Sequence, residues 1–159
     1  MIKVHIIALG KLKESYLREA VAEYSKRLSR YCTLKITELE PEKLSDNPSD
    51  GEIKAALKKE AGKIKSHFPN RCFKIAMCIE GKMCSSEKLA ELMDKRTADG
   101  ADILFIIGSS YGLDEDLKKN CDMRLSMSEM TFPHQLARVM LCEQIYRAIK
   151  INEGSKYHK

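Results

Sequence analysis

Ile103-Leu-Phe-Ile-Ile107 runs without a break into Gly108-Ser-Ser-Tyr-Gly112, and this stretch decides the fold class. Successive side chains of a strand point to opposite faces, so a fully apolar five-residue run describes a strand buried on both sides. Such strands lie inside parallel sheets covered by helices. A glycine-bracketed loop at the carboxyl end of such a strand is where open α/β sheets place their ligands.

Outward from that strand, strand and helix patterns alternate. Ile2, Val4 and Ile6 alternate with Lys3 and His5, which predicts a half-buried first strand. Tyr16, Leu17, Ala20, Val21, Tyr24 and Leu28 recur at helical spacing and predict an amphipathic helix over residues 13–30. Leu34 and Ile36 mark a second strand reaching Leu39. Residues 40–51, with two prolines and several turn formers, read as a loop with scope for motion. Ser49 and Glu52 form a capping-box pattern ahead of the stripe Ile53, Ala56, Leu57, Ala61 and Ile64. A third strand spans Phe73–Ile79, Gly81-Lys82 reads as its turn, and Ser85 or Ser86 caps a helix to about Arg96. After the Ile103–Ile107 strand come a short helix near Asp114–Asn120 and a fifth strand, Met123–Met127. Pro133 suits the first turn of a last helix, with Leu136, Val139, Met140, Tyr146 and Ile149 as its buried stripe. The expectation is one α/β domain over residues 1–159, a mostly parallel sheet flanked by helices.

The composition excludes several classes. With 43% apolar and 32% charged residues, the 159-residue chain has the balance of a globular protein rather than a disordered one. No apolar run approaches the roughly 18 residues that span a bilayer. The N-terminus alternates like a strand and shows neither the basic region nor the cleavage site of a secretory signal. The expected location is the cytoplasm, with no membrane partner. Cys32, Cys72, Cys78, Cys84, Cys121 and Cys142 form no C-x-x-C pair, so the common zinc and thioredoxin patterns are missing. A formal net charge of +5 permits an acidic partner such as RNA without requiring one.

Two loops carry the chemistry-bearing residue types. Gly108-Ser-Ser-Tyr-Gly112 lacks both the lysine of a P-loop and the spacing of a dinucleotide fingerprint. It reads either as a plain strand-to-helix turn or as a place where the missing Cβ of Gly108 lets a ligand approach the backbone. Met127-Ser-Glu-Met-Thr-Phe132 mixes hydroxyls with large apolar side chains, which suits a ligand with an aromatic base and a polar tail. The competing reading makes Met130 and Phe132 hydrophobic staples at the helix entrance. His134, in the first helical turn, reads as a local hydrogen-bonding residue. Tyr157-His158 at the terminus reads by itself as a solvated end.

Taken together, several segments resemble one family. They are Ile6–Lys13 (Ile-Ile-Ala-Leu-Gly-Lys-Leu-Lys), Ile79–Lys82 (Ile-Glu-Gly-Lys), Phe105–Gly108, Tyr111–Leu113, Leu125–Gln135, Glu143–Ala148 and Tyr157–Lys159. Over essentially its whole length the chain resembles the RlmH-type 23S ribosomal RNA methyltransferases of the SPOUT superfamily. The resemblance implies a SPOUT-type α/β fold with a C-terminal trefoil knot, and a homodimer. It implies S-adenosylmethionine as methyl donor, no metal, and N3 of a pseudouridine in 23S rRNA of the assembled ribosome as the target. By matched position, Met77, Gly108, Met127, Ser128, Glu129, Met130, Thr131 and Phe132 are the implied cofactor contacts. Arg147, Tyr157 and His158 are the implied catalytic positions, the terminal pair reaching the other subunit's site. Two departures stand out: Ser109 replaces a usual second glycine, and Met77 a common leucine, a volume-conserving exchange. The rival readings are a non-enzymatic ribosome- or RNA-binding protein using basic faces alone, and a generic nucleotide-binding α/β enzyme suggested only by the Gly108–Gly112 loop.

Overall fold

The computed structural model describes residues 1–159. In chain order the elements are β1 (Ile2–Leu9), α1 (Ser15–Leu28), β2 (Cys32–Leu39), α2 (Asp50–Lys65), β3 (Cys72–Met83), α3 (Ser86–Ala98), β4 (Asp102–Ile107), α4 (Glu115–Lys119), β5 (Met123–Ser126) and α5 (His134–Asn152). The five strands form one sheet in the order β2-β1-β4-β3-β5, and every pairing is parallel.

The apolar run that decides the fold class lies at the centre of this sheet. β4 pairs with β1 on one side and β3 on the other, placing Phe105 opposite both Ile6 and Ile75. Ile103, Phe105 and Ile107 face a core completed by Leu17 and Val21 of α1, Leu89 and Met93 of α3, and Leu141 and Ile145 of α5. Leu104 and Ile106 face the opposite core, with Ala61 and Ile64 of α2 and Leu117 of α4. The result is three layers, helices covering both faces of the sheet.

This layering sets where a ligand can enter. The connections leaving β1 and β3 descend on the α1/α3 face, whereas that leaving β4 descends on the α4 face. β4 is therefore flanked on both sides by strands whose connections depart the other way. Crevices open at such switch points, beyond the carboxyl ends of the strands. Here there are two, between β4 and β3 and between β4 and β1.

Local signals account for the element starts. The side chains of Ser49, Ser85 and Asp114 each accept a hydrogen bond from the backbone N–H three residues on, capping α2, α3 and α4. Residues 40–49 are irregular, as expected, whereas Asp50 and Gly51 already belong to α2, and the irregular part is tied to that helix. Glu42 N–H donates to Glu60 Oε2 at 2.8 Å, and Lys63 pairs with the Glu42 carboxylate at 2.7 Å.

Three expectations need correction. The first helix is shorter than residues 13–30, and Tyr16, assigned to its buried stripe, is exposed. The third strand does not turn at Gly81-Lys82 but continues to Met83. Met77 and Lys82 both register with Leu125 of β5, so residues 78–81 are pushed out as a bulge. Gly81 is glycine because a Cβ there would lie 2.6 Å from the Leu125 carbonyl carbon. In the last helix, the buried face is Arg138, Leu141, Cys142, Ile145, Ala148 and Ile149, and Leu136 is exposed. Apolarity alone misplaced this face because the helix carries apolar residues on more than one side.

Candidate active site

The loops that follow β4 and β5, together with the β3 bulge, enclose a cleft of about 780 Å³ at the β3–β4 switch point. Its walls are apolar at Met77, Ile107, Leu125, Met127 and Phe132, and polar at Glu80, Ser109, Ser110, Ser128 and Thr131. Of the residues expected at a cofactor, Met77, Gly108, Met127, Ser128, Met130, Thr131 and Phe132 line the cleft. Glu129 does not.

Both loops are held by bonds within themselves. Gly112 N–H donates to Ser109 O at 2.9 Å, closing the first loop, and Gly112 takes a left-handed φ of 85°. Gly108 is required for a reason the sequence reading did not give. A Cβ on Gly108 would stand 2.3 Å from the Gly112 carbonyl oxygen, so the residue serves the loop's closure on itself. In the second loop, Ser126 Oγ donates to Ser128 O at 2.9 Å, and Met130 N–H donates to Ser128 Oγ at 3.0 Å. Met130 is 75% exposed at the mouth.

Residues not expected at the cofactor also reach the cleft: Ile79, Glu80, Tyr111, Lys118 and His134. Lys118 bridges Glu80 on the bulge and Glu115 of its own helix, the latter at 3.1 Å. Burial pushes the Lys118 pKa down, but its hydrogen bonds to Glu80 and Glu115 outweigh this and leave it raised. The hydrogen bond from Lys118 in turn holds the Glu80 carboxyl below its usual range. The Glu115–Lys118 spacing was visible in the sequence as an i,i+3 pair, whereas the Glu80 partner depends on the bulge.

His134 lies between the two switch-point crevices, and its pKa is lowered by burial and then by the charges of Arg138 and Lys13. It is neutral in the fold at neutral pH. On acidification the unfolded chain takes up the proton first, so stability is present above the ordinary histidine pKa of 6.5 and is lost as pH falls from there toward the lowered value. Denaturant melts should lose stability over that window in the native protein and lose less in His134→Gln; identical pH profiles would refute the assignment.

Arg147, Tyr157 and His158 come together as a cluster, but none of them lines the cleft of the same chain. Their organiser is Glu143, one helical turn before Arg147, which the sequence reading left unassigned. Its carboxylate accepts from Arg147 Nη2 at 2.7 Å and from the Tyr157 hydroxyl at 3.1 Å. The guanidinium also stacks 4.8 Å from the Tyr157 ring centre, which packs edge-on against Tyr146. Arg147 Nη1 lies 3.2 Å from His158 Nδ1, and His158 Nε2 lies 2.7 Å from Glu87 Oε1. A guanidinium can only donate, so His158 accepts at Nδ1 and donates from Nε2. Bonding to Glu143 raises the Arg147 pKa, so it remains a fixed cation. Burial, then the hydrogen bond to Glu143, raises the Tyr157 pKa and keeps it a phenol. Glu143 borders a groove of about 390 Å³ that shares Leu125, Ser126 and Met127 with the main cleft.

Comparisons with known proteins show what the chain is similar to. A family model described as "Predicted SPOUT methyltransferase" matches residues 2–158. The chain is 48% identical over 158 residues to a protein of Streptococcus equi subsp. zooepidemicus named ribosomal RNA large subunit methyltransferase H, covering 99% of each chain. It is 50% identical over 157 residues to the Clostridium novyi protein of the same name, covering 98% of this chain and 99% of the relative. A solved structure of a probable methylase family protein from Haemophilus influenzae shares the fold at a TM-score of 0.55 and 14% identity, over 99% of this chain and 70% of the other.

Proposed function

The chain belongs to the SPOUT methyltransferase family, and from that membership we propose that it is an S-adenosylmethionine-dependent methyltransferase of large-subunit ribosomal RNA. The observation that carries the reading is the cleft of about 780 Å³ at the β3–β4 switch point. Its donor set fits the cofactor. Met77, Ile107, Leu125 and Phe132 provide apolar walls for a flat base, Ser110 and Thr131 provide hydroxyls for the ribose and amino-acid tail, and Glu80, already paired with Lys118, provides a further acceptor oxygen. When bound, S-adenosylmethionine supplies a methyl group activated on a sulfonium.

The finer reading places the methyl group on N3 of a pseudouridine in 23S rRNA of the assembled ribosome. An imide nitrogen becomes nucleophilic as its proton leaves, so the protein must orient the ring and stabilise the negative charge that develops on it. Arg147, a permanent cation held in place by Glu143, supplies that charge. Tyr157 stays protonated and acts as a donor that positions. His158 is the proton acceptor, its Nδ1 becoming free if Arg147 turns toward the substrate.

In this reading the enzyme is a homodimer working in the cytoplasm, with the Tyr157-His158 tail of one subunit completing the cleft of the other. Two features support it: the cluster lies off its own cleft, and α5 leaves Leu136 exposed and Val139 and Met140 half-buried. The trefoil knot implied by the family resemblance belongs to the same proposal.

The test is mass spectrometry of large-subunit RNA from cells lacking the protein, which should be missing one methylpseudouridine. Restoring the protein should restore the modification, and Arg147→Ala should slow methyl transfer to unmodified ribosomes by about 100-fold or more. Wild-type rates from Arg147→Ala would remove it from the mechanism. A folded protein that shows no heat of binding with S-adenosylmethionine would return the reading to a plain RNA-binding protein.

A further inference from the structure

The second switch-point crevice, between β4 and β1, is about 340 Å³ and shares Ser109, Ser110, Tyr111 and His134 with the main cleft. The loop at 108–112 is thus a partition with a cavity on either side. Glu60, on α2, lines the second cavity and is only 4% exposed.

A carboxylate taken this far out of water is costly unless its lone pairs are used. The oxygens of Glu60 are used, but by no cation. Oε2 accepts from Glu42 N–H at 2.8 Å, and Oε1 accepts from Ser109 Oγ at 3.2 Å. The neighbouring Lys63 is committed to Glu42 and to the Glu40 carbonyl. Neither acceptor oxygen serves α2 itself: one holds the segment after β2, the other the loop after β4.

We infer that Glu60 is a positioning residue for the cofactor loop, fixing Ser109 and thereby the wall that divides the two cavities. The inference rests on the methyltransferase reading for its consequence, though not for its geometry. Ser109 is held by its side chain to Glu60 and by its carbonyl to Gly112 N–H, the bond that closes the loop. Releasing the hydroxyl loosens both ends of the partition. The groups assigned to the chemical step are on α5 and the tail, away from this carboxylate. Loss of Glu60 therefore weakens cofactor binding while the step at saturation is largely kept.

The experiment compares Glu60→Ala, Glu60→Gln, Ser109→Ala and the double variant Glu60→Ala/Ser109→Ala. Glu60→Ala should raise both Kd and KM for S-adenosylmethionine about tenfold, with kcat within about threefold of wild type. Ser109→Ala should raise them about threefold, and the double variant should be no worse than Glu60→Ala, because Glu60→Ala has already removed the Glu60–Ser109 bond. Glu60→Gln should recover most of the affinity, since a carboxamide can accept from Glu42 N–H and donate to Ser109 Oγ. A readout without cofactor accompanies these: amide exchange at Gly112 should speed up about tenfold in Glu60→Ala and Ser109→Ala, while core amides of β1 and β4 hold. Additive effects in the double variant, or unchanged Gly112 exchange in folded variants, would overturn the inference. If Glu60→Ala does not fold, Ser109→Ala and Glu60→Gln decide it alone. Should wild type fail to bind S-adenosylmethionine, the methyltransferase reading falls, while Gly112 exchange still decides whether Glu60 holds the loop.

Discussion

Gly108→Ala should bind S-adenosylmethionine at least about 100-fold more weakly than wild type while melting only a few degrees lower. The added Cβ would stand 2.3 Å from the Gly112 carbonyl oxygen and 2.6 Å from its carbonyl carbon, and backbone atoms cannot turn aside as a side chain can. Overpacking of this kind costs about 1–3 kcal/mol, and here it is relieved by moving the loop rather than the core. The displaced loop is the wall of the cleft, so binding suffers more than folding. Gly112→Ala provides the contrast. Nothing lies within 4 Å of a Cβ there, so only the left-handed φ of 85° opposes it. That strain is about 1–2 kcal/mol, and its effect on affinity should be clearly smaller. Calorimetric titration together with thermal melting distinguishes the two glycines, and wild-type affinity in Gly108→Ala would sink the account.

The second large effect concerns stability, and the smaller chemical change should be the more damaging one. Arg138 is 1% exposed and pairs with Glu38, which is 37% exposed, while its Nη2 donates to the Gly10 carbonyl at 2.9 Å. Glu38→Gln changes one atom but leaves the guanidinium buried without a counter-charge, a loss of about 3 kcal/mol. For a chain of this size that lowers the melting temperature by roughly 10 °C. Arg138→Met removes the whole charged group, yet the stranded Glu38 can be hydrated and the methionine fills much of the volume, so about 1 kcal/mol is expected. Denaturant midpoints for the two variants should rank in that order. The reverse ranking would mean that the arginine contributes mainly through packing.

How much of this was legible in the sequence differs from element to element. The β4 run, the Ser49 cap and the alternation of strands with helices were readable because each is a local pattern with one physical cause. β3 was cut short because its continuation depends on β5, a partner some forty residues away that takes up its register again after the bulge. The core face of α5 was misplaced because apolar residues occur on more than one side of that helix, and burial follows what the helix packs against. The two loops that wall the cleft were identified by position, while Glu60, Lys118 and Glu143 were not, since an acid or a lysine on a helix shows no preference in sequence for the partner it meets in space.

By itself, the sequence determined the class of fold, the Ser49 cap, the family and the two loops that wall the cleft. The family follows from the resemblance of its motifs, and the rest from periodicity and from residue types whose backbone preferences act within a few positions. Only the tertiary structure decided why Gly108 is glycine and that a buried acid holds the loop. It also decided that the Arg147, Tyr157 and His158 cluster lies off the cleft of its own chain. Each of these depends on atoms brought within a few ångströms across long stretches of chain, and no local pattern encodes such a meeting.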